Sequence, residues 1–394
     1  MIYISELRHR GVIPVETVET GALMSVQEPR YELDTFTVRG GYEEMGRQYG
    51  AYYKDKIRRF VDMRFASAEK YFKDWGRGSV DELKEKGAAC WQRSEAFHPQ
   101  GFAEHRGIAS GAGLEPALLY AATNMTDVRD VVLLPDVPPP AEDEGCTSAL
   151  ASSAHTSPEH LSGLYGQTWD LNPPDIEYIA AIHRLPDEGL ETWTVTCVGC
   201  LTLVGMNQRG IAVGTTNLKT WSSRVGVGYL SVLHKALSQE THSAAASVFH
   251  SAPVAGAHSY WLGSTEGGEE WERSPKHSFH RVADERPLGR SNHCLFEPHQ
   301  AIEGVEVSPS SAARVARAQG LLEAGEVSLE SMKALFADRS DGVYSINRYP
   351  EDEQGTTTNS VAIADPAARV LHACRGSVDR GEWLTLSFER GAQS

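Results

Sequence analysis

The chain has 394 residues, of which 41% are hydrophobic and 23% are charged. This is the balance of a globular protein, and it excludes a disordered or fibrous chain. Lysine and arginine number 37 against 53 aspartate and glutamate, so the formal charge is −16 and binding to a nucleic-acid backbone is not expected.

The start of the sequence and its cysteines predict where the protein resides. The first residues contain no apolar signal-peptide core, and the longest apolar runs, such as 131–134, are far shorter than the roughly 18 residues of a membrane span. Six cysteines in so long a chain are unlike the dense disulfide framework of a small secreted domain. We therefore expect a reduced, cytoplasmic protein without a membrane segment.

After its opening strands, the first third of the chain is predicted to be mostly helical. Apolar residues at helical spacing predict one amphipathic helix over 41–72. Further helices are predicted over 80–97, 102–111 and 118–124, the second of these ending in a glycine cap. The stretch 134–145 then holds four prolines and four acidic residues, and we interpret it as an exposed linker.

Beyond the linker, short alternating or apolar runs separated by turn residues predict a sheet protein with helix pairs between its strands. The predicted strands are 163–171, 178–185, 193–206, 210–218, 259–262, 277–282, 359–365, 369–374 and 383–388. The predicted helices are 228–238, 244–249, 311–324 and 329–337. Because strands from distant parts of the chain alternate with helices, we expect a layered α+β fold.

Cys146 is the main candidate for chemistry because of its position. It follows Gly145 at the end of the linker, where strand-like sequence begins. Attack of its thiol on the Gly145 carbonyl, followed by hydrolysis, would free its own α-amino group. That amine has a pKa of about 7.7 to 8.0, close to the thiol's value of about 8.5, so it could serve as the base without a histidine. On residue type alone, the default interpretation is an ordinary small, buried cysteine.

Six short motifs spread over roughly residues 40–388 point to a known family. They are the stretches 41–50, 106–113, 145–148, 166–170, 206–212 and 292–293, which read GYEEMGRQYG, RGIASGAG, GCTS, GQTWD, MNQRGIA and NH. In this order they resemble the acyl-coenzyme A:6-aminopenicillanic acid acyltransferase (isopenicillin N acyltransferase) family. Its members are cysteine N-terminal nucleophile (Ntn) hydrolases and are also classed as self-processing peptidases.

The resemblance implies a four-layer αββα sandwich with a helical N-terminal segment, made by a precursor that cleaves itself between Gly145 and Cys146. The products would be a mostly helical fragment, residues 1–145, and a catalytic fragment, residues 146–394. The two fragments would stay associated as one composite domain.

The resemblance also assigns roles to single residues. Cys146 would be the nucleophile that forms a thioester, Asp170 would orient the new α-ammonium group, and Asn292 would donate to the oxyanion. Candidates for substrate binding are Thr168, Trp169, His293 and Arg314, with Arg348 as an alternative cation.

The implied activity is hydrolysis or transfer of the acyl group of a small amide or thioester, with water or an amine as acceptor. No metal and no cofactor are implied, although a coenzyme A thioester is open as the acyl donor. The expected partners are these small molecules, with no nucleic acid and no membrane.

Three alternatives stay open on the sequence. The pair Cys197 and Cys200 could hold zinc or run redox chemistry, but no second pair accompanies it and the run looks like a strand, which would place the two thiols on opposite faces as buried core residues. Cys146 could instead work with a histidine such as His293 without any cleavage. The chain could also be a non-enzymatic binding protein on the same fold.

Overall fold

The computed structural model describes residues 30–134 and 145–389. Most of the linker predicted over 134–145, and most of the opening segment, therefore lie outside the described residues. Among the helices in these two ranges, none is both long and apolar enough to traverse a bilayer.

The first range forms one strand followed by a group of helices. They are β1 (Asp34–Gly40), α1 (Tyr42–Tyr52), α2 (Lys54–Trp75), α3 (Val80–Phe97), α4 (Pro99–Ala112), α5 (Pro116–Thr123) and α6 (Met125–Leu133). The helix predicted over 80–97 is confirmed, and it begins where the Ser79 side chain accepts a hydrogen bond from the Glu82 amide.

The single helix predicted over 41–72 is wrong, because the chain breaks between α1 and α2 at Tyr53. The Tyr53 ring is buried against Tyr49, and its hydroxyl donates to the Asp34 carboxylate at 2.9 Å. The apolar spacing continues across this break, so the sequence pattern could not reveal it. Helix α6 also went unpredicted.

The second range supplies two sheets and five more helices. The strands are β2 (Thr147–Ala151), β3 (Leu164–Leu171), β4 (Ile179–Pro186), β5 (Thr192–Cys197), β6 (Val204–Asn207), β7 (Ala212–Leu218), β8 (Ala257–Ser264), β9 (Gly267–Arg273), β10 (Ser278–Val282), β11 (Leu288–Arg290), β12 (Thr357–Asp365), β13 (Val370–Arg375) and β14 (Leu384–Ser387). The helices are α7 (Tyr229–Leu237), α8 (His242–Ser251), α9 (Glu297–Gln300), α10 (Pro309–Leu322) and α11 (Leu329–Phe336).

The two sheets pack face to face with helices on their outer sides. One sheet has eight strands in the order β1-β4-β5-β6-β7-β8-β9-β10, and the other has six in the order β11-β2-β3-β12-β13-β14. Strands β2 and β3 face β7, while α1, α7 and α8 cover the larger sheet and α10 and α11 cover the smaller one. The expected αββα sandwich with a helical N-terminal segment is therefore confirmed.

Strand β1 runs parallel to β4 and forms the edge of the larger sheet. Residues before the predicted cleavage point thus contribute backbone hydrogen bonds to a sheet whose other strands follow that point. The boundary itself stays a prediction.

The prediction that Cys197 and Cys200 lie on opposite faces of one strand is wrong. Strand β5 ends at Cys197, and a turn follows in which Gly199 adopts φ +91° and the Cys200 amide donates to the Cys197 carbonyl at 3.0 Å. The two thiols are therefore not on opposite faces of one strand. Both are free and buried, as expected for core thiols.

Strands β9 and β11 escaped prediction because their inward positions carry charge. Glu272 of β9 and Arg290 of β11 are fully buried and form an ion pair at 2.5 Å, so the alternation of polar and apolar residues is absent.

Helices α1 and α4 pack through glycines at very close range. A Cβ atom on Gly46 would lie 2.0 Å from the Glu104 carbonyl oxygen, and one on Gly107 would lie 2.1 Å from the Glu43 carbonyl oxygen. Because both obstacles are backbone atoms, neither can move aside without separating the helices.

We predict that Gly46→Ala lowers the free energy of unfolding by at least about 2 kcal/mol, because the added methyl group forces the two helices apart. Gly320→Ala is the matched control, since this exposed glycine of α10 has no neighbour within 4 Å of the new Cβ. It should raise stability by up to about 1 kcal/mol through helix propensity. Chemical denaturation measures both, and equal effects would contradict the close packing.

Candidate active site

Cys146 lies directly before β2, buried beside the end of β3. Pairing of Thr147 with Thr168 sets this register, and the Thr147 amide also donates to the Thr168 hydroxyl at 3.0 Å. The Cys146 Sγ lies 3.7 Å from the Asp170 carbonyl oxygen, to which it donates. The structure therefore brings Cys146 together with Thr168 and Asp170, which follow it by 22 and 24 residues in the sequence.

Gly145 is pressed against Asp170. A Cβ atom on Gly145 would lie 2.4 Å from the Asp170 Cβ and 3.0 Å from its Oδ2. This residue is therefore glycine because of close approach, and its backbone reaches the carboxylate of Asp170 without an intervening side chain.

The Asp170 carboxyl group is buried, and neither of its oxygens has a hydrogen-bond partner in the described part of the chain. Burial raises the pKa of Asp170 to about 6, against the opposing influence of the Arg348 and Arg314 guanidinium groups and of the Thr358 and Thr168 hydroxyls nearby. A buried acid without a partner is costly, so this carboxyl group is suited to a cationic group that binds beside it.

Asn292 follows β11 and lies at the same site as Cys146 and Asp170. Its Nδ2 donates to the Asn217 carbonyl at 3.1 Å, and its Oδ1 accepts from Arg314 Nη2 at 3.0 Å. An amide nitrogen carries two hydrogens, so the bond to Asn217 leaves one for a bound group.

Arg314 connects the nucleophile to Asn292. This guanidinium group is fully buried, and its Nη1 donates to the Cys146 carbonyl at 2.5 Å and to the Thr147 hydroxyl at 3.0 Å. Its Nε donates to the Ser310 hydroxyl at 3.2 Å. Arg314 therefore fixes the backbone of Cys146 and the orientation of the Asn292 amide.

Arg348, the alternative cation, is equally buried. It donates to the hydroxyls of Ser310 and Thr356, and so shares Ser310 with Arg314. Neither arginine lines the cavity next to Cys146 within the described ranges. Their side chains support residues that line the cavity without lining it themselves. Direct contact of Arg314 with a substrate stays a prediction.

A cavity of about 150 Å³ opens at Cys146. Cys146, Trp169, Asp170 and Asn292 line it from the predicted catalytic fragment. The opposite wall comes from α2 and α6 of the helical fragment, with Arg64, Tyr71, Met125 and Arg129. The site is therefore composite, built from both sides of the predicted cleavage point.

His293 does not lie in this cavity. Its Nδ1 is hydrogen-bonded to the Ser311 hydroxyl at 2.8 Å, and its ring lines a separate small cavity with Lys219 and Ser308. Burial lowers the pKa of His293 to about 4. The structure therefore does not assemble the Cys146–His293 pair.

The cavity wall includes residues that sequence reasoning missed. His258 lies in it and donates through Nε2 to the Asp127 carboxylate at 2.7 Å, and Tyr229 stacks on the His258 ring. One signal was available for Arg64, because it lies on the same helical face as the buried residues Phe60 and Ala68, where an arginine is unusual.

The αββα sandwich described above is the fold of the Ntn hydrolases. The chain belongs to the acyl-coenzyme A:6-aminopenicillanic acid acyl-transferase family, whose model matches residues 157–380. This family places the protein among the hydrolases and acyltransferases that act on amides.

Solved structures that are similar over part of the chain include three enzymes. Penicillin V acylase from Agrobacterium tumefaciens is 13% identical, with 63% of this chain and 90% of that chain covered and a TM-score of 0.40. A variant of conjugated bile acid hydrolase from Clostridium perfringens is 10% identical, with 62% and 98% covered and a TM-score of 0.42. The Caenorhabditis elegans ortholog of N-acylethanolamine-hydrolyzing acid amidase is 13% identical, with 61% and 100% covered and a TM-score of 0.40.

The raised pKa of Asp170 predicts a pH-dependent stability. The folded chain holds the Asp170 proton more tightly than the unfolded chain, whose ordinary value is 3.8, so this group's contribution to stability is present below about pH 4 and is lost as the pH rises through about 6. In a Cys146→Ala chain the loss should reach up to about 3 kcal/mol. Denaturation at several pH values gives the free energy of unfolding of this chain and of the same chain carrying Asp170→Asn. The difference between the two is the contribution of Asp170, and an equal dependence on pH in both chains would contradict the prediction.

Proposed function

We propose that the protein is a precursor that cleaves itself between Gly145 and Cys146 and then acts as an Ntn amidohydrolase or acyltransferase through a Cys146 thioester. The observation that carries this proposal is the buried, unpartnered Asp170 carboxyl group in contact with Gly145. Cleavage at this bond creates an ammonium group on Cys146, the cation that such a carboxyl group requires.

Cleavage would begin with attack of the Cys146 sulfur on the Gly145 carbonyl carbon. The carbon–nitrogen bond then breaks, the Cys146 nitrogen receives the thiol proton, and a thioester links Gly145 to the sulfur. Water hydrolyses this thioester and leaves a Gly145 carboxylate, a thiol and a free α-amine. The absence of a side chain on Gly145 favours the strained approach.

Substrate turnover would use the same sulfur. The α-amine takes the thiol proton, the thiolate attacks the substrate amide carbonyl, and the remaining hydrogen of Asn292 Nδ2 donates to the oxyanion. The leaving amine departs with the proton. The acyl thioester then passes to water, which is hydrolysis, or to an amine, which is transfer.

Two features support this assignment over a Cys146–His293 pair. Arg314 fixes both the Cys146 backbone and the Asn292 side chain, so the nucleophile and the oxyanion donor share one support. His293 is held in another cavity by Ser311. Use of a coenzyme A thioester as acyl donor, a cytoplasmic location and lasting association of the two fragments are parts of the same proposal.

We predict that the purified protein separates on a denaturing gel into fragments of about 16 and 27 kDa, in proportion to 145 and 249 residues of 43.1 kDa. Amino-terminal sequencing of the larger fragment should read C-T-S-A-L. Cys146→Ala should leave one intact species without amidase activity, because one thiol performs both reactions.

Cys90→Ala is the control for these measurements, because this thiol is also buried but lies in α3. It should be processed as the unaltered chain is. A chain that stays whole after long incubation, or an active Cys146→Ala protein, would exclude the proposal and favour a binding protein on this fold.

Asn292→Ala should lower kcat by about 10² to 10³, since it removes one oxyanion donor. Asn347→Ala is the control, because Asn347 is a buried asparagine that donates to Asp379 outside the cavity. It should reduce stability and leave kcat unchanged. Steady-state kinetics on an amide that the enzyme cleaves gives kcat for both variants. Equal kcat values would show that Asn292 does not donate to the oxyanion.

A further inference from the structure

His258 lines the cavity of Cys146 close to the proposed oxyanion donor. It lies in β8, directly opposite Asn217 of β7 in the register of the larger sheet. The side chains of such cross-strand partners lie on the same face, with Cβ atoms about 4.5 to 5.5 Å apart. Asn217 also lines the cavity, and its carbonyl oxygen accepts the hydrogen bond from Asn292 Nδ2. His258 is therefore near the place where a substrate carbonyl would be held.

Asp127 of α6 determines which ring nitrogen of His258 carries the hydrogen. His258 Nε2 lies 2.7 Å from Asp127 Oδ1, and Asp127 Oδ2 accepts from the Tyr229 amide at 2.7 Å. A carboxylate only accepts hydrogen bonds, so Nε2 is the nitrogen that donates. Asp127 and His258 are each 1% exposed, and the Tyr229 ring stacks on the His258 ring. The orientation of the imidazole ring is therefore fixed.

Nδ1 of His258 is consequently a hydrogen-bond acceptor at the cavity wall. In a neutral imidazole ring, one nitrogen donates and the other accepts. Nδ1 lies 3.5 Å from the hydroxyl of Thr215, a residue that also lines the cavity. That hydroxyl donates to the Ser259 carbonyl at the shorter distance of 2.9 Å, so its hydrogen is engaged there. The lone pair of Nδ1 is thus suited to an N–H group of a bound molecule.

Amides differ from thioesters in one feature that such an acceptor would detect. A secondary amide carries a hydrogen on the nitrogen of the bond that breaks, and a thioester does not. When the carbonyl carbon becomes tetrahedral, the nitrogen becomes pyramidal, so its lone pair must face the proton donor and its hydrogen must point elsewhere. An acceptor for that hydrogen binds the transition state more strongly than the ground state, and this raises kcat.

We propose that His258 Nδ1 accepts a hydrogen bond from the nitrogen of the breaking amide, and that Asp127 is the positioning residue that keeps Nδ1 in the accepting form. This inference rests on the proposed function, because it concerns the same reaction at Cys146. The α-ammonium group of Cys146 would supply the proton to the nitrogen lone pair. Asp127 belongs to the helical fragment and His258 to the catalytic fragment, so this contact depends on both sides of the predicted cleavage point.

The test compares a secondary amide with the thioester of the same acyl group. N-butyl amides and S-butyl thioesters of acetic, octanoic and phenylacetic acid are assayed with the processed enzyme. His258→Gln keeps a donor for Asp127, because the glutamine amide nitrogen can take the place of Nε2, but it has no nitrogen at the position of Nδ1. It should lower kcat for the amide about fivefold to tenfold and change kcat for the thioester by less than about twofold.

Asp127→Asn tests the positioning role. Its amide oxygen must still accept from the Tyr229 amide, so its NH₂ group faces His258 Nε2 and the ring hydrogen moves to Nδ1. The acceptor at the cavity wall becomes a donor, so kcat for the amide should fall at least about tenfold, with the thioester unchanged.

Nuclear magnetic resonance of protein with nitrogen-labelled histidine reads the position of that hydrogen without any substrate. The unaltered chain should carry it on Nε2 of His258 and the Asp127→Asn chain on Nδ1. The signals of His258 are identified by their loss in His258→Gln.

His183→Gln is the matched control for the kinetics. His183 is another buried histidine whose Nε2 pairs with a carboxylate, that of Glu191 at 2.7 Å, and it is not part of the cavity lining within the described residues. This variant should leave the ratio of amide to thioester turnover unchanged.

The outcomes separate the two proposals. An uncut chain overturns the proposed function and this inference with it. A processed chain that cleaves thioesters but no amide, that loses both activities equally in His258→Gln, or that keeps full amide turnover in that variant overturns the role of His258 alone. A ring hydrogen on Nδ1 of the unaltered chain does the same, and one that stays on Nε2 in Asp127→Asn overturns the positioning role of Asp127.

Discussion

The buried guanidinium group of Arg314 is the interaction on which the site depends. It donates to the carbonyl of Cys146, the hydroxyls of Thr147 and Ser310, and the side-chain oxygen of Asn292. These acceptors come from one inner strand, from the segment after β11 and from α10 itself. A buried cation is tolerated only where its donors are satisfied, so these partners are held at fixed distances and the nucleophile cannot shift away from the oxyanion donor.

The helical fragment is joined to the sandwich by backbone as much as by side chains. Strand β1 extends the larger sheet beside β4, and α1 packs on α4 with Gly46 and Gly107 in direct contact with carbonyl groups. None of these contacts depends on the peptide bond between Gly145 and Cys146. In the proposed enzyme, cleavage would therefore release an amine and leave the cavity wall formed by α2 and α6 in place.

Charge in the cavity is divided between its two walls. The sheet side presents Asp170, whose carboxyl group suits the α-ammonium of Cys146, and the helical side presents Arg64 and Arg129. Both arginines are themselves paired with carboxylates, Arg64 with Asp175 and Arg129 with Asp130.

Periodicity in the sequence determined the layered α+β class and the helix over 80–97, because it is a local record of strands and helices. The αββα arrangement and the grouping of Cys146, Asp170 and Asn292 were implied by the resemblance of the ordered motifs to a known family. The sequence did not determine the break at Tyr53, across which the apolar spacing continues, or the turn between Cys197 and Cys200, which interrupts a strand-like run. Nor did it determine the charged strand β9, whose Glu272 pairs with Arg290 of β11. The cavity wall is the clearest case: Arg64 and Arg129 become neighbours of Cys146 only when two helices dock on a sheet. Tertiary packing decided that, because contacts across a core have no spacing in the sequence from which to read them.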